Sequence, residues 1–143
     1  MAAGSHHIRL STFYERQRAD DGAPRVAPQL WSMAGIQPAD VDVAFFYDFF
    51  TPLVIMALED YGFAPRGEGG RFVERGGLAW PDGRLVSNTS GGQLSEAFIH
   101  GFNNTAEAVR QIRGTSTSQV PDCELVFVAG GNTDPTGAVL LRR

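Results

Sequence analysis

The sequence predicts an α/β domain in the order β-α-β-α-β-α-β-β, a mixed and mostly parallel sheet with helices on both faces. Three observations lead there. Short runs rich in Val, Phe and Leu alternate with runs of helical spacing, Pro and Gly stand at the helix boundaries, and 143 residues contain no repeat or long linker. Residues 1–143 are therefore expected to form a single domain, with 1–7 as a flexible end.

Ile8 to Phe13 alternates as a strand does, and a charged turn follows from Arg16 to Asp21. Ala27, Leu30, Trp31 and Ala34 have helical spacing, with Pro24 and Pro28 at the start and Gly35 as the C-terminal cap. Val41 to Phe46 reads as the next strand. Thr51 is then a good N-cap with Pro52 at the first helical position, and the helix runs from Leu53 to Asp60 before Gly62. The glycine-rich stretch 64–83, with Arg66, Glu68, Arg71, Glu74 and Arg75, reads as an excursion over the surface. Arg84 to Ser87 is a short strand. Asn88-Thr89-Ser90-Gly91-Gly92 turns into the longest helix, Leu94 to Arg113, whose last-turn Arg110 and Arg113 suit the dipole and which Gly114 ends. The final strands, Leu125 to Val128 and Ala138 to Leu141, are joined by Gly130-Gly131-Asn132-Thr133-Asp134.

Composition narrows the function. The mix of 43% hydrophobic and 20% charged residues is that of a soluble globular domain. No apolar stretch approaches the ~20 residues that span a bilayer, and the first residues lack a basic-then-apolar leader, so a cytoplasmic location is expected. With a net charge of -4 and arginine supplying all 12 basic residues, the chain advertises no nucleic-acid face and has no lysine for Schiff-base chemistry. Cys123 is alone, which removes internal disulfides and any cysteine-cluster zinc site. His6, His7 and His100 draw no metal site either.

The long helix bears on partners. Phe98, Phe102, Ala106 and Val109 form an apolar stripe, and Ala97, Ile99, Gly101, Ala108 and Ile112 extend apolar surface to other sides. Either the helix is buried on several faces of its own fold, or another chain covers it.

Several motifs in order resemble the C-terminal half of thiolase-like proteins, especially the actinobacterial lipid-transfer type that includes retro-aldolases of steroid side-chain breakdown. The residues that carry the resemblance are Ala34 to Ala44 leading into Tyr47-Asp48-Phe49-Phe50, then Asn88-Thr89-Ser90-Gly91-Gly92, Gln93 to Gly101, and Gly130-Gly131. It covers nearly the whole chain from about Ile8. In that family two such halves sandwich central helices, and protomers dimerise. The resemblance thus implies a partner: an N-terminal thiolase-like half or a full thiolase-like chain, in a hetero- or homo-oligomer. It also implies a small OB-fold/zinc-ribbon partner protein. Coenzyme A thioesters are the implied substrates, with no cofactor bound by this chain.

The family's acyl-forming cysteine belongs to the other half, and Cys123, after Pro121-Asp122, reads as a small buried thiol. The first polar position of the family's Asn-Glu-Ala-Phe or His-Asp-Cys-Phe box falls on Tyr47, a phenol suited to relaying a proton or holding an oxyanion. A core tyrosine among Phe45, Phe46, Phe49 and Phe50 is the other reading. Asp48 reads as a local hydrogen-bond acceptor near the following helix start. The family's histidine position falls on Phe98, which transfers no proton. His100 lies two residues on, about 200° around a helix, and reaches the site only if the helix start is shifted. The second catalytic cysteine matches Val128.

The candidate catalytic residues are therefore Tyr47 and His100, with Phe50, Phe98, Gly91, Gly92, Gly130 and Gly131 as candidate substrate-binding positions. Free amides at the helix start after Gly91-Gly92 are expected to help hold a thioester enolate. Ordinary thiolysis is not expected from this chain alone. The resemblance favours a lyase subunit that cleaves a β-hydroxyacyl-CoA, steroid or lipid in its acyl part, by a retro-aldol route. An acyltransferase subunit using another chain's nucleophile and a non-catalytic assembly subunit remain beside it.

Overall fold

A computed structural model describes residues 2–6, 23–130 and 136–143. Their elements are strand β1 (Ala2–His6), helix α1 (Ala23–Ala34), a 3-10 turn (Pro38–Asp40), strand β2 (Val43–Phe45), helices α2 (Thr51–Asp60) and α3 (Gly69–Glu74), strand β3 (Val86–Ser87), helix α4 (Phe102–Arg113), and strands β4 (Leu125–Ala129) and β5 (Thr136–Arg142). The sheet order is β1-β5-β4-β2-β3. β2 pairs in parallel with β3 on one side and β4 on the other, while β5 runs antiparallel to both β4 and β1. The expected mixed sheet with helices on both faces is what forms.

Strand alternation divides the core in two. On one face Ala44, Phe46, Leu125, Phe127, Ala129, Ala138 and Leu140 meet α1 and α2, whose Val26, Leu30, Trp31 and Leu58 are buried. On the other, Val43, Phe45, Val126 and Val128 meet Ala108 of α4 and Cys123. Every residue of β2 and β4 is buried, as a strand covered on both faces requires.

Several boundaries differ from expectation, each for a local reason. The expected strand Ile8 to Phe13, the turn to Asp21 and Gly131 lie outside the described residues. Ala2–His6, expected as a flexible end, pairs with β5 from Ala2↔Leu140 to His6↔Thr136. Thr51 is not a cap: Phe50 holds the N-cap position with extended backbone, and α2 already includes Thr51 and Pro52. The excursion 64–83 contains α3, and its Phe72 and Leu78 pack on the core.

The largest correction concerns the long helix. It begins at Phe102, not Leu94, because His100 (φ 54) and Gly101 (φ 80) have left-handed backbone that cannot continue a right-handed helix. Residues 93–96 instead turn back on Gly92, whose carbonyl accepts from the amides of Ser95 and Glu96. The C-terminus is as expected, with Arg110 and Arg113 in the last turn and Gly114 at φ 70.

Candidate functional site

The site is built where β2 ends. Asn88 grips the backbone of Phe46 at both ends: its Oδ1 accepts from Phe46 N at 2.9 Å and its Nδ2 donates to Phe46 O at 3.2 Å. Asn104, fully buried on α4, donates from Nδ2 to the same oxygen at 2.8 Å. Two of these hydrogen bonds hold the carbonyl of the peptide just before Tyr47, and the third holds the amide of the peptide before that.

Tyr47 is half-buried, and its ring lies against Gly101: a Cβ there would come within 2.7 Å of Tyr47 Cδ2. Gly101 is therefore required twice, by its positive φ and by this close approach. His100 immediately precedes it. The shifted helix start thus brings the two candidate catalytic residues to one corner, although the His100 side chain is exposed and its ring leans on exposed Phe98 at 4.7 Å between centroids. Tyr47 also tilts against Phe49, which contacts Phe50, forming an aromatic chain that ends at the surface.

Asp48 is buried and accepts hydrogen bonds from Gln93 N (2.8 Å) and Leu94 N (3.4 Å). This confirms an acceptor but moves its target from the α2 start to the 93–94 turn. It also corrects the expectation of free amides after Gly91-Gly92, since Asp48 occupies both. Gly92 makes this possible: a Cβ there would meet Asp48 Oδ2 at 2.2 Å and Asn88 Nδ2 at 2.8 Å. Gly91, at φ 97, packs on Ser95. At the other strand end, Gly130 N donates to Gly137 O at 2.7 Å, and Val128 is buried inside β4.

Sequence reasoning missed the polar face of α4. Glu107, 3% exposed, accepts from Thr89 Oγ1 at 3.1 Å, from Ser116 Oγ in a short bond, and from Arg110 Nη1 at 3.4 Å. Gln111 donates from Nε2 to Ser118 O at 2.8 Å and accepts from Val120 N at 3.0 Å. Asn104, Glu107 and Gln111 repeat at helical spacing, a signal hidden by attention to the apolar stripe. That stripe points elsewhere: Phe98 and Phe102 are 66% and 69% exposed, and Leu94 and Ile99 are exposed beside them.

Cys123 is buried, and its thiol is pushed up to about 11, first by burial and then by Asp42. It is held as an unreactive thiol at neutral pH. Among the described residues no group of three His, Cys, Asp or Glu side chains is arranged to hold a metal ion, and no helix is long and apolar enough to cross a membrane.

The chain belongs to the thiolase C-terminal domain-like family, which matches residues 4–141. It is 47% identical over 124 residues to a 17-hydroxy-3-oxo-4-pregnene-20-carboxyl-CoA lyase of Mycobacterium tuberculosis, covering 85% of this chain and 32% of that protein. It is 48% identical over 116 residues to a steroid side-chain-cleaving aldolase of Thermomonospora curvata, covering 81% of this chain and 29% of that protein. A solved structure described as Ltp2-ChsH2(DUF35) aldolase superposes with a TM-score of 0.87 at 40% identity, over 99% of this chain and 38% of that one. The chain thus spans about a third of the length of these relatives.

Proposed function

We propose that this chain is the C-terminal thiolase-like part of a carbon–carbon lyase that cleaves a β-hydroxyacyl-CoA, steroid or lipid in its acyl part, by a retro-aldol route. In that reaction a base takes the β-hydroxyl proton, the oxygen lone pair forms a carbonyl, and the Cα–Cβ bond breaks. Its electron pair moves onto the thioester as an enolate, which is then protonated at Cα. The carrying observation is Tyr47, its backbone fixed by Asn88 and Asn104 and its ring on Gly101 directly after His100. A phenol placed at the hydroxyl relays the proton, and His100 is the neighbouring base once a partner covers it. The names of the lyase and aldolase relatives support the same reaction class.

The rest of the active centre comes from outside these residues. A half-domain with Leu94, Phe98, Ile99 and Phe102 exposed next to its site, spanning a third of its relatives, fits an N-terminal thiolase-like half as partner. The neighbour's description pairs two names, Ltp2 and ChsH2(DUF35), which supports a heteromeric assembly and, from the family resemblance, an OB-fold/zinc-ribbon protein within it. CoA enters as substrate.

In the assembled complex, Tyr47→Phe is expected to lower cleavage of a β-hydroxyacyl-CoA by about 10²–10⁴-fold without changing native mass. Unchanged turnover would remove Tyr47 from the chemistry. A non-catalytic reading draws on exposed Phe98, which has no proton to give; a rise in turnover on Phe98→Tyr would favour a decayed site over an intact one.

A further inference from the structure

We propose that the side chain of Gln93 is a substrate-binding group, donating a hydrogen bond from Nε2 to the thioester oxygen of an acyl-CoA. That oxygen takes up negative charge as the Cα–Cβ bond breaks, so the inference rests on the lyase reading above and deepens it.

Gln93 is 8% exposed, yet neither its Nε2 nor its Oε1 has a hydrogen-bond partner. Burying a carboxamide with both ends unpaired is costly, on the order of 1–3 kcal/mol per group, and calls for a partner that the described residues do not supply. Its backbone is held in place, because Gln93 N donates to Asp48 at 2.8 Å. Its Nε2 lies 3.8 Å from the point where a Gly101 Cβ would stand, the same point that Tyr47 Cδ2 approaches to 2.7 Å. Amide and phenol ring therefore meet over the bare face of Gly101.

The alternatives for an enolate donor are few. Asp48 already engages the amides of Gln93 and Leu94. Among the described residues, the other buried side-chain donor without a partner is Tyr61 Oη, which belongs to the core on the opposite face of the sheet. A prepositioned donor in a water-poor site stabilises developing charge without reorganising. Gln93 is thus matched to the thioester oxygen while Tyr47 attends the hydroxyl.

The test compares wild type with Gln93→Leu and Gln93→Asn, each in the complete assembly with its co-purifying chains. Two readouts are taken: cleavage of a β-hydroxyacyl-CoA, and calorimetric binding of the matching saturated acyl-CoA, which has a thioester but cannot be cleaved. Gln93→Leu removes an unpaired buried amide, so its melting temperature is expected to hold or rise while kcat/KM falls about 10²-fold, with about tenfold of that loss appearing as weaker binding of the saturated acyl-CoA. Gln93→Asn should recover part of that loss. A fall in melting temperature parallel to the loss of activity would make Gln93 structural and overturn the proposal. Wild-type cleavage with a Leu variant within twofold of it would overturn the proposal and leave the lyase reading standing. If wild type binds the saturated thioester but cleaves nothing, the lyase reading fails, and Gln93 stands or falls by a tenfold loss of binding in the Leu variant. If wild type neither cleaves nor binds, both ideas are wrong.

Discussion

Under α1 and α2 two rings from the sheet side interlock with three from the covering elements, whereas under α4 the sheet meets a few aliphatic side chains and, beyond them, carboxamides and a carboxylate. On the first face Phe127 lies between Trp31 (5.6 Å between centroids), Tyr61 (4.8 Å) and Phe63 (5.2 Å), with Phe46 at 6.0 Å. Trp31 Nε1 completes the arrangement by donating to Tyr61 O at 3.1 Å. On the second face Ala108 is the buried apolar residue of α4, half-buried Ile112 packs beside it, and Asn103, Asn104, Glu107 and Gln111 are its buried polar residues. One face is closed by volume, the other by hydrogen bonds that also hold the site loops. The site sits on the second face, where geometry is set by direction as well as by packing.

The largest effect should therefore come from the first face. Phe127→Ala removes the ring at the centre of the cluster and is expected to cost about 3–5 kcal/mol in urea denaturation. A loss below about 1 kcal/mol would mean that the aromatic face is not the main source of stability. On the second face Glu107→Ala leaves Thr89, Ser116 and Gln111 short of an acceptor and should cost about 1–3 kcal/mol. Its signature is local: amides of 88–90 and 116–120 should exchange faster, with those of α1 unchanged. Uniform loosening would show that the polar seam and the aromatic core are one unit.

The first face was largely legible in the sequence. Leu30, Trp31 and Ala27 at helical spacing, with Gly35 at the end, specify α1, and the continuous apolar run Val43 to Phe46 marks a strand covered on both faces without saying which residues face α1. The second face was read less well for a physical reason. Hydrophobic periodicity assumes that the apolar side of a helix faces its own core. Here α4 inverts this, so the stripe Phe98, Phe102, Ala106, Val109 drew attention to the side that faces away. Gly101 was the available warning, since a glycine inside a helix is unfavourable by roughly 1 kcal/mol against alanine. Tyr47 was singled out by the family resemblance, as the residue at the first polar position of the Tyr47-Asp48-Phe49-Phe50 box. Gln93 was not, because an unpaired buried amide exists only in three dimensions.

Each face also buries an ionisable group, which gives the comparison a pH dependence. Cys123 has its thiol raised from 9.0 to about 11, so the folded chain keeps a proton that the unfolded chain loses near pH 9. Above that the unfolded state binds fewer protons, and stability falls as pH rises from 9 toward 11, by about 1 kcal/mol at pH 10. Tyr61 on the aromatic face is shifted in the same direction, first by burial and then by Asp60, and adds to the fall from about pH 10 upward, where the unfolded phenol begins to lose its proton. Cys123→Ala should flatten the decline between pH 9 and 10 and make the fall above pH 10, where Tyr61 also contributes, shallower. A decline unchanged by the substitution would assign it all to other groups.

The smallest effect on the free chain is expected where the side chains are large. Phe98→Ser combined with Phe102→Ser removes two rings that are 66% and 69% exposed, so unfolding free energy should move by no more than about 0.5 kcal/mol. Association is the opposite case. A phenylalanine that becomes fully buried against a partner contributes about 1.5–3 kcal/mol, so the double variant should weaken assembly at least tenfold while the isolated chain melts as before. If it destabilised the chain as much as Glu107→Ala does, the rings would already be part of the core, and the outward face of α4 would need no partner. If stability and association were both unchanged, a partner would have to dock elsewhere, and the polar seam of α4 would be the only part of the helix tied to the site.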